Sequence, residues 1–425
     1  MWRFIRGVCL ASALAWGVSS LAQAQKPLTW DEVKQRFEAN NPTLLAGEIG
    51  IDESKAQEVT AYLRPNPQAS VGVDQIGNTT KQPFSAATLT ASVSYLHERQ
   101  HKRELRLESA QKATGIAVSG ESDLERNLIF NLRSAFVGTL QAKAILRVAT
   151  DNLAYWDQEL KISKDRFDAG DIARIDLDRL ELQRVQFESD LQTAEVNLRT
   201  AKIQLLMLLN DKTLVDQFDV LGLYEFTDQL PSLDQCRQIA QDSRPDLKAA
   251  VQAVDKANTD HKLAVANGST DPTITIDAGF PTISEAYLSY QPPLREYVGV
   301  GVGIPLRIFD RNQGEKTRTQ LDIDRNQKLL DAAQAQVFSD VDSAYATVNS
   351  NLILLRPYKS QYLEQAARVR DTMKFSYEHG GAALIDFLDA QKEYRDTELN
   401  YLNLIGSYLI AAGQLNLAVG REVLQ

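Results

Sequence analysis

His97-Glu98-Arg99-Gln100-His101 reads HExxH, the string with which zinc peptidases hold their metal. On a helix, two histidines four apart share a face and bind Zn²⁺, the glutamate activates water, and a later acid completes the ligand set. Glu121, 20 residues after His101, has the type and spacing of that third ligand. One reading is therefore a secreted zinc metalloprotease, with His97 and His101 as candidate metal ligands and Glu98 as its base. Against it, the string follows directly on an alternating segment at 86–96, so it falls at a strand exit, whereas a peptidase needs it inside a helix lining a cleft. The corresponding junction later in the chain, Leu306-Arg307-Ile308-Phe309-Asp310-Arg311, is an ordinary polar strand exit without histidine. His261 and His379 stand alone, and the chain has no phosphate loop, Ser-His-Asp order or CxxC pair. These residues call for no cofactor and no catalytic centre.

The elements around the string repeat. Asn41-Pro42-Thr43-Leu44 opens a helical stretch that Asn66-Pro67 breaks, and an alternating segment follows. Arg244-Pro245-Asp246-Leu247 opens a second such stretch, which Asp271-Pro272 breaks in the same way. Phe167-Asp168-Ala169-Gly170 with Asp176 matches Tyr377-Glu378-His379-Gly380 with Asp386, at an offset of 210. The expected organisation is a leader at 1–24, a first structural repeat at 25–222 and a second at 223–425.

Each repeat holds two segments of period-two alternation, at about 69–77 and 86–96 and at about 272–280 and 296–306. In the last, Val298, Val300, Val302 and Ile304 alternate with Gly299, Gly301 and Gly303. Strands of about 9–11 residues with one apolar and one small or polar face fit a membrane barrel. A half-buried sheet in a soluble sandwich has the same alternation. Four strands close no barrel alone, so a membrane reading requires several chains.

Few helix breakers occur from about Lys102 to Arg166 and from about Lys316 to Ser376. After each glycine turn, apolar residues recur in three-four steps, through Leu177, Leu180 and Phe187 and through Phe387, Ala390 and Tyr394. Sustained steps of this kind predict long antiparallel hairpins with coiled-coil packing. Pro357 should kink or interrupt its helix.

Composition sets the setting. Of 425 residues, 46 are basic and 56 acidic, a formal charge of −10, which excludes a basic nucleic-acid binder. Arg3 and Arg6, an apolar run and Ala22-Gln23-Ala24 predict a secretory signal cut between Ala24 and Gln25. Removing it also removes Cys9, and Cys236 alone can form no intramolecular disulfide.

With the duplicated order, the string Gly380-Gly381-Ala382-Ala383-Leu384-Ile385-Asp386-Phe387-Leu388-Asp389-Ala390-Gln391 and the strand end Val302-Gly303-Ile304-Pro305-Leu306, the chain resembles the TolC family of outer-membrane efflux channels. The position of Pro357 and the string Leu388-Asp389-Ala390-Gln391 look like its CzcC-type cation-efflux branch. The resemblance implies an α+β membrane protein in which four strands per chain close a 12-stranded barrel as a homotrimer, continued by an α-helical barrel. It implies a passive exit channel that reaches from the outer membrane into the periplasm. Its partners would be a periplasmic adaptor, an inner-membrane pump of RND or ABC type, and outer-membrane lipid. By motif, Asp386 and Asp389 correspond to a ring of acids at the pore constriction, with Asp176 and Asp178 as first-repeat counterparts. Arg166, Phe167, Gly170, Tyr377 and Gly380 correspond to tips that meet the adaptor. Asp386 has a second reading, as a helix-start residue meeting the dipole. A non-conducting periplasmic coiled-coil scaffold is the remaining alternative.

Overall fold

A computed structural model of the chain describes residues 26–74, 78–79, 82–83, 88–281 and 296–424. The expected leader and its cut between Ala24 and Gln25 lie outside these, as do parts of the first two expected strands.

Two short helices open each half. Thr29 and Glu32 form a reciprocal capping box at the start of α1 (Trp30–Asn40), and Ser232 and Gln235 do the same for α5 (Leu233–Ser243). α2 (Pro42–Tyr62) and α6 (Pro245–Asn267) each start with proline in the first turn, where its missing N–H costs nothing. Strands follow: β1 (Gln68–Asp74), a small hairpin of β2 (Asn78–Thr79) and β3 (Gln82–Pro83), and β4 (Thr88–Leu96) in the first half. The second half contributes β5 (Thr273–Pro281) and β6 (Tyr297–Gly303). Each half then ends in helices: α3 (Lys102–Asp168) and α4 (Arg174–Leu208), then α7 (Gln313–Pro357), α8 (Leu363–Glu378) and α9 (Leu384–Val419). At 1.5 Å per residue, the 67 residues of α3 run about 100 Å.

The four longer strands form one antiparallel sheet in the order β1-β4-β5-β6, and its register sorts the side chains. Ala69, Val93, Ile276 and Val300 lie side by side across the sheet, as do Val71, Ala91, Ala278 and Val298. The opposite face carries Ser70, Ser92, Asp277 and Gly299 in one row and Gln68, Ser94, Thr275 and Gly301 in another. Val71, Val93, Ile276, Val298 and Val300 are all exposed in the single chain. A soluble sandwich would bury that face, and a membrane barrel presents it to lipid.

Pro357 ends α7, and the chain passes through a π turn, Tyr358–Tyr362, before α8 continues. Proline has no N–H for the helical ladder, and a wider turn absorbs the missing bond without breaking the rod. Apolar cores sit at two levels. Phe37, Phe136, Leu205 and Val220 in the first half, and Ala240, Val348, Leu352 and Leu415 in the second, pack the ends of the hairpins nearer the sheet. A third core lies at the far ends, where the two hairpins meet.

Candidate functional site

Both hairpins reverse through the same turn. Gly170 and Gly380 have φ of 81° and 75°, the left-handed conformation that glycine reaches without strain. The N–H of Gly170 bonds the Phe167 carbonyl at 2.9 Å and that of Asp171 bonds Arg166 at 2.8 Å. In the second turn, Gly380 bonds Tyr377 at 3.1 Å and Gly381 bonds Ser376 at 2.7 Å. These are paired Schellman closures, and they satisfy the last carbonyls of α3 and α8.

The tips are fastened to each other by aromatics. Trp156 of α3 lies 5.2 Å from Phe187 of α4 and 6.0 Å from Phe387 of α9, and Phe387 stacks on Tyr377 at 5.9 Å. The Trp156 indole N–H donates to the Leu180 carbonyl at 2.9 Å. Arg166 reaches across to the Glu378 carbonyl at 3.5 Å, with its guanidinium 5.3 Å from the Tyr377 ring. Phe167 packs against the same core and faces the Arg174 guanidinium at 5.8 Å. Higher up, Arg370 sits between the rings of Tyr155, at 5.6 Å, and Tyr394, at 4.1 Å.

The acids differ in their freedom. Asp386 is exposed, and one of its carboxylate oxygens accepts the Ala383 N–H at 3.0 Å, so it caps α9. The other oxygen remains for water or a cation. Asp389, one turn on, is exposed. Asp178 accepts from Arg174 at 2.8 Å, which neutralises it locally. Asp176 lies near Tyr377, whose phenol is pushed above its ordinary value by burial first, with Asp176 adding to the rise and Arg166 opposing it. Asp176, Arg166, Arg179, Tyr377 and Ile385 line one open cleft between the tips. The tip therefore gathers the motif residues of both repeats within one packed unit.

Trp156 escaped the sequence reading although it anchors the stack. Its position in the second repeat, 210 residues on, is Ala366, so the duplication hides it. A single tryptophan two heptads before a glycine turn is the signal that finds it.

The HExxH residues are arranged otherwise. His97 continues the strand, its N–H donating to the Pro272 carbonyl at 2.9 Å. Glu98 is ion-paired with Arg106, and His101 stands at the N-cap of α3 with φ of 55°. The two histidines therefore share no helical turn. Glu121 is 20 residues along the same helix, about 30 Å from His101, beyond reach of a common ion. Among the described residues, no group of three or more His, Cys, Asp or Glu is placed to hold a metal ion.

A sheet with one lipid-compatible face, carried on helical arms of which α3 alone runs about 100 Å, defines a membrane protein with a long extramembrane helical body. The comparisons sharpen this. The family model described as outer membrane efflux protein matches residues 236–421. The chain is 22% identical over 403 residues to the cobalt-zinc-cadmium resistance protein CzcC of Cupriavidus metallidurans, covering 94% of this chain and 91% of that one. It is 22% identical over 407 residues to the outer membrane protein TolC of Vibrio cholerae, covering 92% and 90%. Its fold is similar to that of CusC, with a TM-score of 0.74, 17% identity and 92% of each chain covered. Together these make the chain similar to outer-membrane efflux proteins such as CzcC and TolC, with an outer-membrane location reaching into the periplasm.

Proposed function

We propose that three copies of this chain form the passive exit duct of a tripartite efflux system. The register of the sheet carries the reading. Val71, Val93, Ile276, Val298 and Val300 of its apolar face are exposed in the single chain, and β1 and β6 end the four-strand order with no further strand beside them among the described residues. In hydrocarbon, unpaired strand edges are prohibitive, so other copies supply the closing strands. The structural repeats 25–222 and 223–425 then each contribute a strand pair and a hairpin to the wall.

Asp386 and Asp389 of three chains form stacked acidic rings at the constriction, with Asp176 beside Tyr377 as a contributor and Asp178 held by Arg174. Such rings favour cations. The tips at Arg166, Phe167, Gly170, Tyr377 and Gly380 receive the periplasmic adaptor, and an inner-membrane pump supplies the energy. Similarity to CzcC, named for resistance to cobalt, zinc and cadmium, supports a metal cation as the first substrate to test.

The test is planar-bilayer conductance of the detergent-extracted protein, with mass by light scattering on the same preparation. A cation-selective pore from a trimer is expected. A water-soluble monomer without conductance overturns the duct. Asp389→Asn, which leaves the Asp386 cap intact, should lower cation preference and block by multivalent cations; unchanged selectivity removes the ring.

A further inference from the structure

The two strand-to-helix exits are built differently. In the first repeat the exit after β4 is polar and tied down. Lys102, only 3% exposed, donates to Asp271 at 2.6 Å and to the Ser269 carbonyl at 3.1 Å, while the Arg99 N–H bonds the other Asp271 oxygen at 2.9 Å. In the second repeat the exit after β6 runs through Ile304-Pro305-Leu306-Arg307-Ile308-Phe309-Asp310-Arg311. Its charges suggest a polar linker, yet its apolar side chains are the ones left out. Phe309 is 90% exposed and Leu306 79%, and Ile304 and Ile308 are also exposed.

The fold does not demand this, because the matching exit is polar and closes the same junction. The apolar residues also continue a pattern. From Val298 to Ile308 every second residue is aliphatic, so the exposed band of β6 runs on past the last paired residue, Gly303. Pro305 cannot donate to a ladder, so the extension does not prolong the sheet. It lies on the rim where all four long strands meet their helices. Charge is interleaved with it. Arg311 turns its Nε back to the Arg307 carbonyl at 3.3 Å, keeping its own guanidinium on the linker, while Asp310 is engaged by the Asn312 N–H at 2.8 Å. Arg307 also feels the Asp271 carboxylate across the junction.

We propose that the linker 304–312 is a phospholipid-binding anchor on the periplasmic rim of the barrel. Leu306, Ile308 and Phe309 sit at the acyl-chain boundary, and Arg307 and Arg311 contact headgroup phosphates. Aromatic and aliphatic side chains beside arginine are the composition that a membrane interface selects, and continuity with the lipid-facing band fixes the depth. The anchor rests on the membrane reading of the sheet.

The test uses the full chain, reconstituted in phosphatidylethanolamine vesicles with or without phosphatidylglycerol and carrying single nitroxide labels. Phe309→Cys is the probe, Val300→Cys the lipid reference and Asp234→Cys the aqueous reference; the native Cys236 is buried. The label at 309 should respond to dissolved oxygen as the one at 300 does, and lose the broadening by a water-soluble nickel chelate seen at 234. A label at 309 that behaves as the one at 234 overturns the anchor, and so does one inaccessible to both reagents, which would mean that a second copy covers the linker. Adding Arg307→Gln and Arg311→Gln should shift the 309 label toward water, more so with phosphatidylglycerol; an unchanged depth in both vesicles overturns the headgroup contact. If the label at 300 itself reads as aqueous, the membrane reading fails and the anchor falls with it.

Discussion

Trp156 and Phe387 stack with ring centroids 6.0 Å apart and planes 13° from parallel, joining the hairpin of the first repeat to that of the second just above the tips. Both side chains are almost wholly buried. Phe387→Ala should therefore cost about 3–5 kcal/mol of local stability. Hydrogen exchange across 375–391 should accelerate, and Phe387→Leu should recover most of the protection. Unchanged exchange would mean that the aromatic stack is not what fastens the tips.

The turns themselves make a second expectation. Gly170→Ala and Gly380→Ala force an L side chain into the left-handed region, at about 1–2 kcal/mol each. Gly381→Ala is the control, since it lacks a positive φ and a Cβ there would meet the Ser376 carbonyl at an ordinary 3.5 Å. Thermal melting should rank Gly381→Ala close to wild type and both others below it. Equal melting temperatures for all three would contradict the Schellman assignment.

Neighbouring residues on β5 face opposite ways. Ile276→Arg puts a charge in the exposed apolar band and should cost about 2–4 kcal/mol of membrane stability near the midplane. Thr275→Arg, one residue earlier, falls on the face with Ser94 and Gly301 and should assemble normally while altering pore conductance. Heat-modifiable gel mobility after vesicle folding separates the two. Equal loss from both variants would show that the faces are not divided between lipid and water.

Acid should weaken the junction around Arg244, which is 5% exposed and holds Asp246 through two bonds, at 2.6 and 3.0 Å, and Asp340 at 2.9 Å. Burial is the largest influence on Asp246 and raises its carboxyl, but the Arg244 bonds and charge, with Arg126, outweigh it and hold the group below its ordinary 3.8. A carboxyl depressed on folding adds stability above its unfolded pKa and loses it as pH falls through the folded value. Melting temperature should therefore drop below about pH 4. Asp246→Asn should lose about 1.5–3 kcal/mol at pH 7 and show a shallower acid decline. An identical acid profile in the variant would remove Asp246 from the transition.

The strands, the long helices and the glycine turns were legible in the sequence for different reasons. Lipid on one side and water on the other impose a period of two, clearest from Val298 to Val302. Long rods need an absence of breakers, and a left-handed turn needs Gly170 and Gly380. What could not be read depends on partners far away in the chain. Lys102 is charged yet buried because Asp271 and Ser269, some 170 residues on, satisfy it. Pro357 announces an interruption but not its form, since the π turn is a backbone response that no side chain specifies. The helix-start reading of Asp386, by contrast, was legible, and its carboxylate accepts the Ala383 N–H at the extended N-cap of α9.

The first arm, α3, is one rod of 67 residues, and the second, 313–378, is a composite of nearly equal length whose π turn follows the 45 residues of α7 and precedes the 16 of α8. The arms act as a matched pair of rulers. An insertion or deletion of one heptad in either arm alone would offset Gly170 from Gly380 by about 10 Å and part Trp156 from Phe387. Removing a heptad from all four hairpin limbs, α3, α4, the composite and α9, would shorten the whole body and keep the tips level. Changes in length are thus expected to be inherited in concert, and hydrogen exchange at the tips of single-arm and matched deletions would reveal whether the two repeats can vary their lengths independently.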